Sequence, residues 1–365
     1  MIRASLRMLA LGAVLSACSS SDGGVPSDPG EITEETPLLD ADGVLVGHGW
    51  ARGPLMQYDR ALVQEERKGR LREWEYYAIF APDFAIGITL ADIGLLSFSI
   101  LTLEDYGTGE IHDSIMFEDA DALDFPFTPF ENTSFQSSTG SVEYRFEGDH
   151  RAITVLAGEP GTADRMEARL QLSDSREVES IAVSHRFGEP GEFFYENKRV
   201  SMPATGTVRV GDTTYDLGEG RSFGVLDWGR GVWPGDVKWE WGHFTGVTDG
   251  HLVGINLGTV NGDDTPGTAD AVIVDGVLHK LPESSWDYDL DDIMAPWHFN
   301  SEDGRIDLIL TPDFDDSTVL ALGPPLVLTR WKVHGNLRGT VELSDGSTLQ
   351  VQGIRGAAEY VEIDW

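Results

Sequence analysis

The chain has 365 residues, with 62 Asp and Glu against 26 Lys and Arg, a formal net charge of −36. So acidic a surface repels phosphate backbones, which excludes a nucleic-acid binder and leaves neutral, cationic or apolar partners. Hydrophobic residues at 41% and aromatics at 10% are enough for a packed core, and the length suits two domains or one large β architecture.

Residues 1–7 carry Arg3 and Arg7 and no acid, and a short apolar run from Met8 ends in Leu15-Ser16-Ala17-Cys18. The run is too short to span a membrane and reads as a secretory signal, residues 1–17. It resembles the bacterial lipoprotein signal. That resemblance implies cleavage before Cys18 and lipidation of its thiol and new amine. The partner is then a membrane, reached by a lipid anchor. The expected address is the bacterial cell envelope, at the outer membrane because Ser19 follows the cysteine, with the folded part facing the periplasm or exterior. A single cysteine agrees with this, since an exported chain with one thiol can form no internal disulfide. Residues 18–37 are Ser, Gly, Pro and acid, the composition of a flexible tether.

Beyond the tether, residues 59–72 are ambiguous between an exposed helix and a loop. Short β-branched and aromatic runs then alternate with turn residues, giving strands at 74–80, 84–91, 95–103, 141–146, 151–156, 166–172 and 178–187. The interruption at Met202-Pro203-Ala204-Thr205-Gly206 places a joint between an N-terminal β domain, 38–203, and a C-terminal β domain, 204–365. Further strands are expected at 240–246, 252–257, 269–274, 305–310, 326–334, 339–343 and 348–353, with Asp-Gly turns at 249, 275 and 345. The halves look alike. Trp74-Glu75-Tyr76 followed by Gly87-Ile88-Thr89-Leu90 parallels Trp239-Glu240-Trp241 followed by Gly254-Ile255-Asn256-Leu257, 165 residues on at the tryptophans and 167 at the glycines. The expected fold is therefore all-β, two barrel or sandwich domains related by internal duplication.

The most unusual stretch is 222–234, Ser-Phe-Gly-Val-Leu-Asp-Trp-Gly-Arg-Gly-Val-Trp-Pro, closely followed by Trp239-Glu240-Trp241-Gly242-His243. The glycines flanking Arg230 suit a loop that projects the arginine or passes close to a ligand. Asp227 and Arg230 could pair, either as a structural anchor among core indoles or as an acid and its orienting cation in a water-poor pocket. In the second case a protonated Asp227 could deliver a proton to an alkene or ether oxygen while Trp faces stabilise positive charge. The catalytic candidates are Asp227, Arg230 and His243. Strand alternation keeps Glu240 and His243 from both pointing inward. Ligand-binding candidates are Trp228, Trp233, Trp239, Glu240, Trp241, Asn256, Asn197 and Lys198.

These residues also carry a family likeness. Tyr195-Glu196-Asn197-Lys198, the Leu226–Pro234 run, Trp239-Glu240-Trp241, Gly254-Ile255-Asn256-Leu257-Gly258 and Pro296-Trp297 resemble the family called domain of unknown function 2804, over most of residues 45–365. That family is in turn similar to a two-domain lipocalin-like group containing carotenoid hydratases and tocopherol cyclases, which implies two lipocalin-like domains and acid-type chemistry on prenyl chains. No catalytic residue transfers one by one.

No cofactor or metal signature is present. Asp287, Asp289, Asp291 and Asp292 alternate like a calcium loop, but Asp292 and His298 stand where an EF-hand needs Gly and Glu. These aspartates, and Asp263 with Asp264, read as solvated acidic loops, with irregular calcium binding as the alternative, and no nucleophile elbow, phosphate loop or zinc spacing occurs. The leading reading is an envelope lipoprotein that binds an apolar or amphipathic small molecule, lipid or isoprenoid-like, in a lipocalin-like pocket. The alternatives are a hydratase, cyclase or isomerase with Asp227 as acid and base, and carbohydrate binding through Trp faces.

Overall fold

The computed structural model describes residues 30–162, 164–260, 268–323 and 326–364, so Cys18 and the Asp263–Asp264 pair lie outside the described residues. About 62% of the chain is strand and almost none is helix. The ambiguous segment before the first long strand is two short 3-10 turns, Arg60–Leu62 and Glu65–Arg70. No described helix is long and apolar enough to cross a membrane.

The first sheet contains β1 (Leu71–Phe80), β2 (Phe84–Asp92), β3 (Leu96–Asp105), β4 (Glu110–Asp119), β5 (Thr133–Ser137), β6 (Gly140–Phe146), β7 (His150–Ala157), β8 (Met166–Ser173), β9 (Ile181–Arg186), β10 (Phe193–Val210) and β11 (Ser222–Val232). Its antiparallel order is β4-β3-β2-β1-β11-β10-β8-β7-β6-β5, with β9 added beside β10, and it curls into a nearly closed barrel. The second sheet, a half-barrel, contains β12 (Asp236–Thr248), β13 (His251–Val260), β14 (Ala271–Val274), β15 (Val277–Lys280), β16 (Ser285–Asp287), β17 (Trp297–Asn300), β18 (Ile306–Asp315), β19 (Leu326–Glu342) and β20 (Thr348–Asp364). Its order is β15-β14-β13-β12-β20-β19-β18-β17-β16.

The chain passes between sheets at residues 233–235, not at the expected joint near 203. The proline interruption there is a β-bulge inside β10. Register against β11 shifts between Arg199 and Met202, and Ser201 takes φ 70°. Strands β1 and β11 are buried on both faces, and alternation sends their residues to two different cores. Tyr77, Ile79, Leu226 and Trp228 fill the barrel, whereas Ala78, Phe80 and Val225 pack with Trp241 and Ala357 of the second sheet. The two units are thus joined by apolar packing.

Candidate functional site

The segment around Arg230, expected as a loop, lies inside strand β11, and Gly229 makes room there for an indole. A Cβ on Gly229 would lie 2.2 Å from the Trp74 ring. With no side chain there, Trp74 lies across β11 and its Nε1 donates to Asp227 Oδ2 at 3.1 Å. Because positions 227 and 230 differ by an odd number, strand alternation puts them on opposite faces, so the expected Asp227–Arg230 pair does not form. Arg230 points into the barrel, fully buried, 3.2 Å from Glu75 and 3.5 Å from Glu73, with its guanidinium over Trp228. Trp228 likewise belongs to the barrel core.

Asp227 faces a cavity of about 270 Å³ between the two units. Trp74, Trp233, Trp239, Trp241, Phe98 and Phe194 give it an aromatic wall, and Ile93, Val260, Leu328 and Ile363 add aliphatic surface. Its polar lining includes Asp227, Lys198, Glu196, His185, Glu240, Arg330 and Glu359. Strand β10 sends Lys198 and Glu196 to the same face, two residues apart. Lys198 Nζ stands 2.8 Å from Asp227 Oδ1, an ion pair rather than a well-directed hydrogen bond, and 3.0 Å from Glu196 Oε2. Glu196 Oε1 is 3.0 Å from His185 Nε2. A chain of His185, Glu196, Lys198 and Asp227 thus ends at the cavity.

Burial is the largest influence on Asp227, Lys198 and Glu196. It pushes the Asp227 carboxyl above its ordinary range, with Glu196 adding to the rise while Lys198 and Trp74 oppose it. For Lys198 burial opposes the charge, but Asp227 and Glu196 outweigh it and raise the ammonium. For Glu196 the cation of Lys198 and the bond from His185 overcome burial and keep the carboxylate low. One carboxyl inclined to hold a proton therefore sits beside one inclined to stay ionised.

Lys198 Nζ lies 4.2 Å from the Trp241 ring centroid, and His243 stacks on the same indole at 3.9 Å. His243 is fully buried outside the cavity lining, neither ring nitrogen has a hydrogen-bond partner among the described residues, and burial drives it well below the ordinary histidine value. Asn256 receives the Trp241 indole N–H at 2.9 Å and so positions that wall. Asn197 is fully buried on the barrel side and donates to Ser180. Glu240 accepts from Tyr288 at 2.7 Å, and burial raises its carboxyl. Of the expected site residues, Asp227, Lys198, Trp233, Trp239, Glu240 and Trp241 meet at the cavity; Arg230, Trp228, His243, Asn197 and Asn256 do not line it. Sequence reasoning missed Glu196 as an acid, His185, Trp74 and Glu359. Glu196 was visible two residues before Lys198, the spacing that shares a strand face.

Among the described residues one group has metal-ligand spacing, Glu104, Asp316 and His334, with candidate atoms within 4.8 Å of one another. Asp316 already holds Lys332 at 2.9 Å and Arg330 at 3.0 Å.

No curated protein matches this sequence. Among solved structures, kievitone hydratase from Nectria haematococca is 13% identical, with 91% of this chain and 97% of that one covered and a TM-score of 0.48. CghA with Sch210972 is 13% identical over 80% and 88% of the two chains, TM-score 0.46. A protein described as a putative AttH from Nitrosomonas europaea is 14% identical over 81% and 92%, TM-score 0.44. The family profile covers residues 29–365, nearly the whole length, and the chain belongs to the family described as domain of unknown function (DUF2804).

Proposed function

We propose that this protein is an enzyme that performs acid/base chemistry on an apolar or amphipathic ligand held between its two units, with Asp227 as the proton donor. One observation carries the reading: a carboxyl raised by burial opens onto a tryptophan-walled cavity and is backed by Lys198, Glu196 and His185. A protonated carboxyl in such a place can protonate an alkene or an ether oxygen. Lys198 then stands next to the carboxylate left behind and stabilises it. His185 is a positioning residue, holding Glu196 towards Lys198. Hydration, cyclisation and isomerisation all begin with this step.

The test uses the full chain purified from its own membranes, with co-purifying small molecules identified by mass spectrometry in wild type and Asp227→Asn. The enzyme reading expects a ligand trapped in the variant and a chemically altered partner in the wild type. The same unaltered ligand in both would make the protein a carrier, and glycans alone would move the reading to carbohydrate recognition. The membrane tether in this proposal rests on the Leu15–Cys18 sequence, and metabolic labelling with a radiolabelled fatty acid should mark the wild type and not Cys18→Ala.

A further inference from the structure

The two sheets repeat one order. The run β4-β3-β2-β1-β11-β10-β8-β7-β6 corresponds strand for strand to β15-β14-β13-β12-β20-β19-β18-β17-β16. Aligning Trp74 with Trp239, as the sequence suggests, makes Tyr76 the counterpart of Trp241. Asp227 lies opposite Tyr76, and Glu359 lies opposite Trp241. Lys198 in turn lies opposite Asp227, and Lys332 opposite Glu359. By register, Glu359 is the second unit's Asp227 and Lys332 its Lys198.

The side chains obey the same correspondence. Trp74 donates its indole N–H to Asp227, and Trp239 donates its own to Glu359 Oε1 at 2.9 Å. The lysines cross over reciprocally, Lys198 to the Trp241 ring at 4.2 Å and Lys332 to the Tyr76 ring at 5.9 Å. Trp233 stands edge-on to both donor indoles, 5.5 Å from Trp74 and 5.7 Å from Trp239. Two carboxylates, one from each unit, therefore mark the two ends of a three-indole wall in one cavity.

The halves differ in where the lysine turns. Lys198 binds Asp227, whereas Lys332 Nζ sits 2.9 Å from Asp316 and 3.4 Å from the Tyr76 hydroxyl. Of the lining's two arginines, Arg72 donates to the Gly69 and Leu71 carbonyls, and Arg330 is held by Asp316, with Glu359 adding to the field that keeps it charged. Glu359, 7% exposed, lines the cavity with an indole N–H on one oxygen.

We propose that the cavity takes an apolar ligand with a centre of positive charge, and that Glu359 is the carboxylate that stabilises it. This rests on the reading of the cavity as a ligand site. The charge is that of an alkylammonium, or of the carbon formed when Asp227 protonates an alkene. In that step the π pair makes the new C–H bond, Asp227 becomes a carboxylate, and the adjacent carbon is left cationic between indole faces and Glu359.

Two probes of equal chain length separate charge from burial: dodecyltrimethylammonium and dodecan-1-ol, titrated below micelle formation against the full chain and followed by tryptophan fluorescence. The ammonium should bind wild type at least tenfold more tightly than the alcohol. Glu359→Gln, which keeps an oxygen for Trp239, should weaken the ammonium about tenfold and leave the alcohol unchanged. Glu362→Gln, at a half-exposed carboxylate on the same strand that pairs with Lys238 outside the cavity lining, should change neither, which separates the site from the acidic surface. Equal binding of both probes, or an ammonium affinity indifferent to Glu359→Gln, would overturn this inference while leaving an apolar ligand site standing. Binding of neither probe to wild type would overturn both readings.

Discussion

Lys198 bears the most tightly constrained charge of the site. It lies between two buried carboxylates and against the Trp241 ring, so its removal leaves Asp227 and Glu196 without the cation that offsets their burial. Lys198→Met keeps the aliphatic stem and deletes the charge. Breaking such a buried pair costs about 3–5 kcal/mol, and denaturant unfolding at neutral pH should show a loss of that order. The sign follows from Glu196, whose folded carboxyl is held below its ordinary value mainly by Lys198 acting against burial. Its contribution is present above the unfolded carboxyl value and lost as pH falls through the folded one. In the variant that contribution disappears, so the deficit relative to wild type should shrink as the medium is acidified below the carboxylate range. A deficit that is constant with pH would show that Lys198 matters by packing alone. The sequence made Asp227 and Lys198 legible because both sit in unusual motifs. It misled about Arg230, since proximity along a glycine-rich run suggests a loop, where three residues can meet, and a strand forbids it.

At the scale of elements, β11 shows what glycine does in a fully paired strand. Gly229 lies opposite Trp74 in the ladder, and the missing Cβ is what lets the indole cross the strand and reach Asp227. Gly229→Ala puts a methyl 2.2 Å from the indole ring, so Trp74 must move. The expected result is about 1–3 kcal/mol of destabilisation from overpacking, and a shifted tryptophan emission as the indole leaves its carboxylate. Unchanged emission and stability would mean that Trp74 is not held by this contact. Short strands with one solvent face, such as β7 and β8, were readable from alternation. Strand β11 and the first half of β10, up to Met202, were not, because both of their faces are buried, one in the barrel and one against the second unit, and such segments lose the period of two. The duplication was legible at the tryptophans but slid at the glycines. Gly87 stands opposite Ala78 while Gly254 stands opposite Thr245, so the ladder counterpart of Gly87 is Asn256.

For the whole molecule, the joint between the units carries two histidines kept neutral. Burial is the main cause for both; Lys332 and Lys198 add to it at His243, and Lys332, Arg355 and Arg330 at His334, and both rings are held well below the ordinary value. A group whose folded pKa is lowered binds fewer protons in the folded chain than in the unfolded one. Folding stability is therefore lost as pH falls below about 6.5, the unfolded histidine value. Glu104, in the same joint, is pushed up to about 7 by burial, and its sign is opposite: its contribution is complete below the unfolded carboxyl value and lost as pH rises through 7. The net acid response of wild type thus mixes both, and a single substitution isolates the histidine. His243 has no hydrogen-bond partner among the described residues and stacks on Trp241, so His243→Phe removes a buried unsatisfied polar group and keeps a ring in its place. The variant should be more stable than wild type by about 1–3 kcal/mol at pH 7. Between pH 7 and pH 5 the advantage should grow by about 2 kcal/mol, the cost of one proton taken up by the unfolded wild-type chain alone. Urea unfolding of both proteins at the two pH values measures this directly. An advantage that does not grow would mean that His243 is already protonated in the folded chain. It would then place a cation beside Lys198 and Lys332, where the positive charge proposed for the ligand would be repelled.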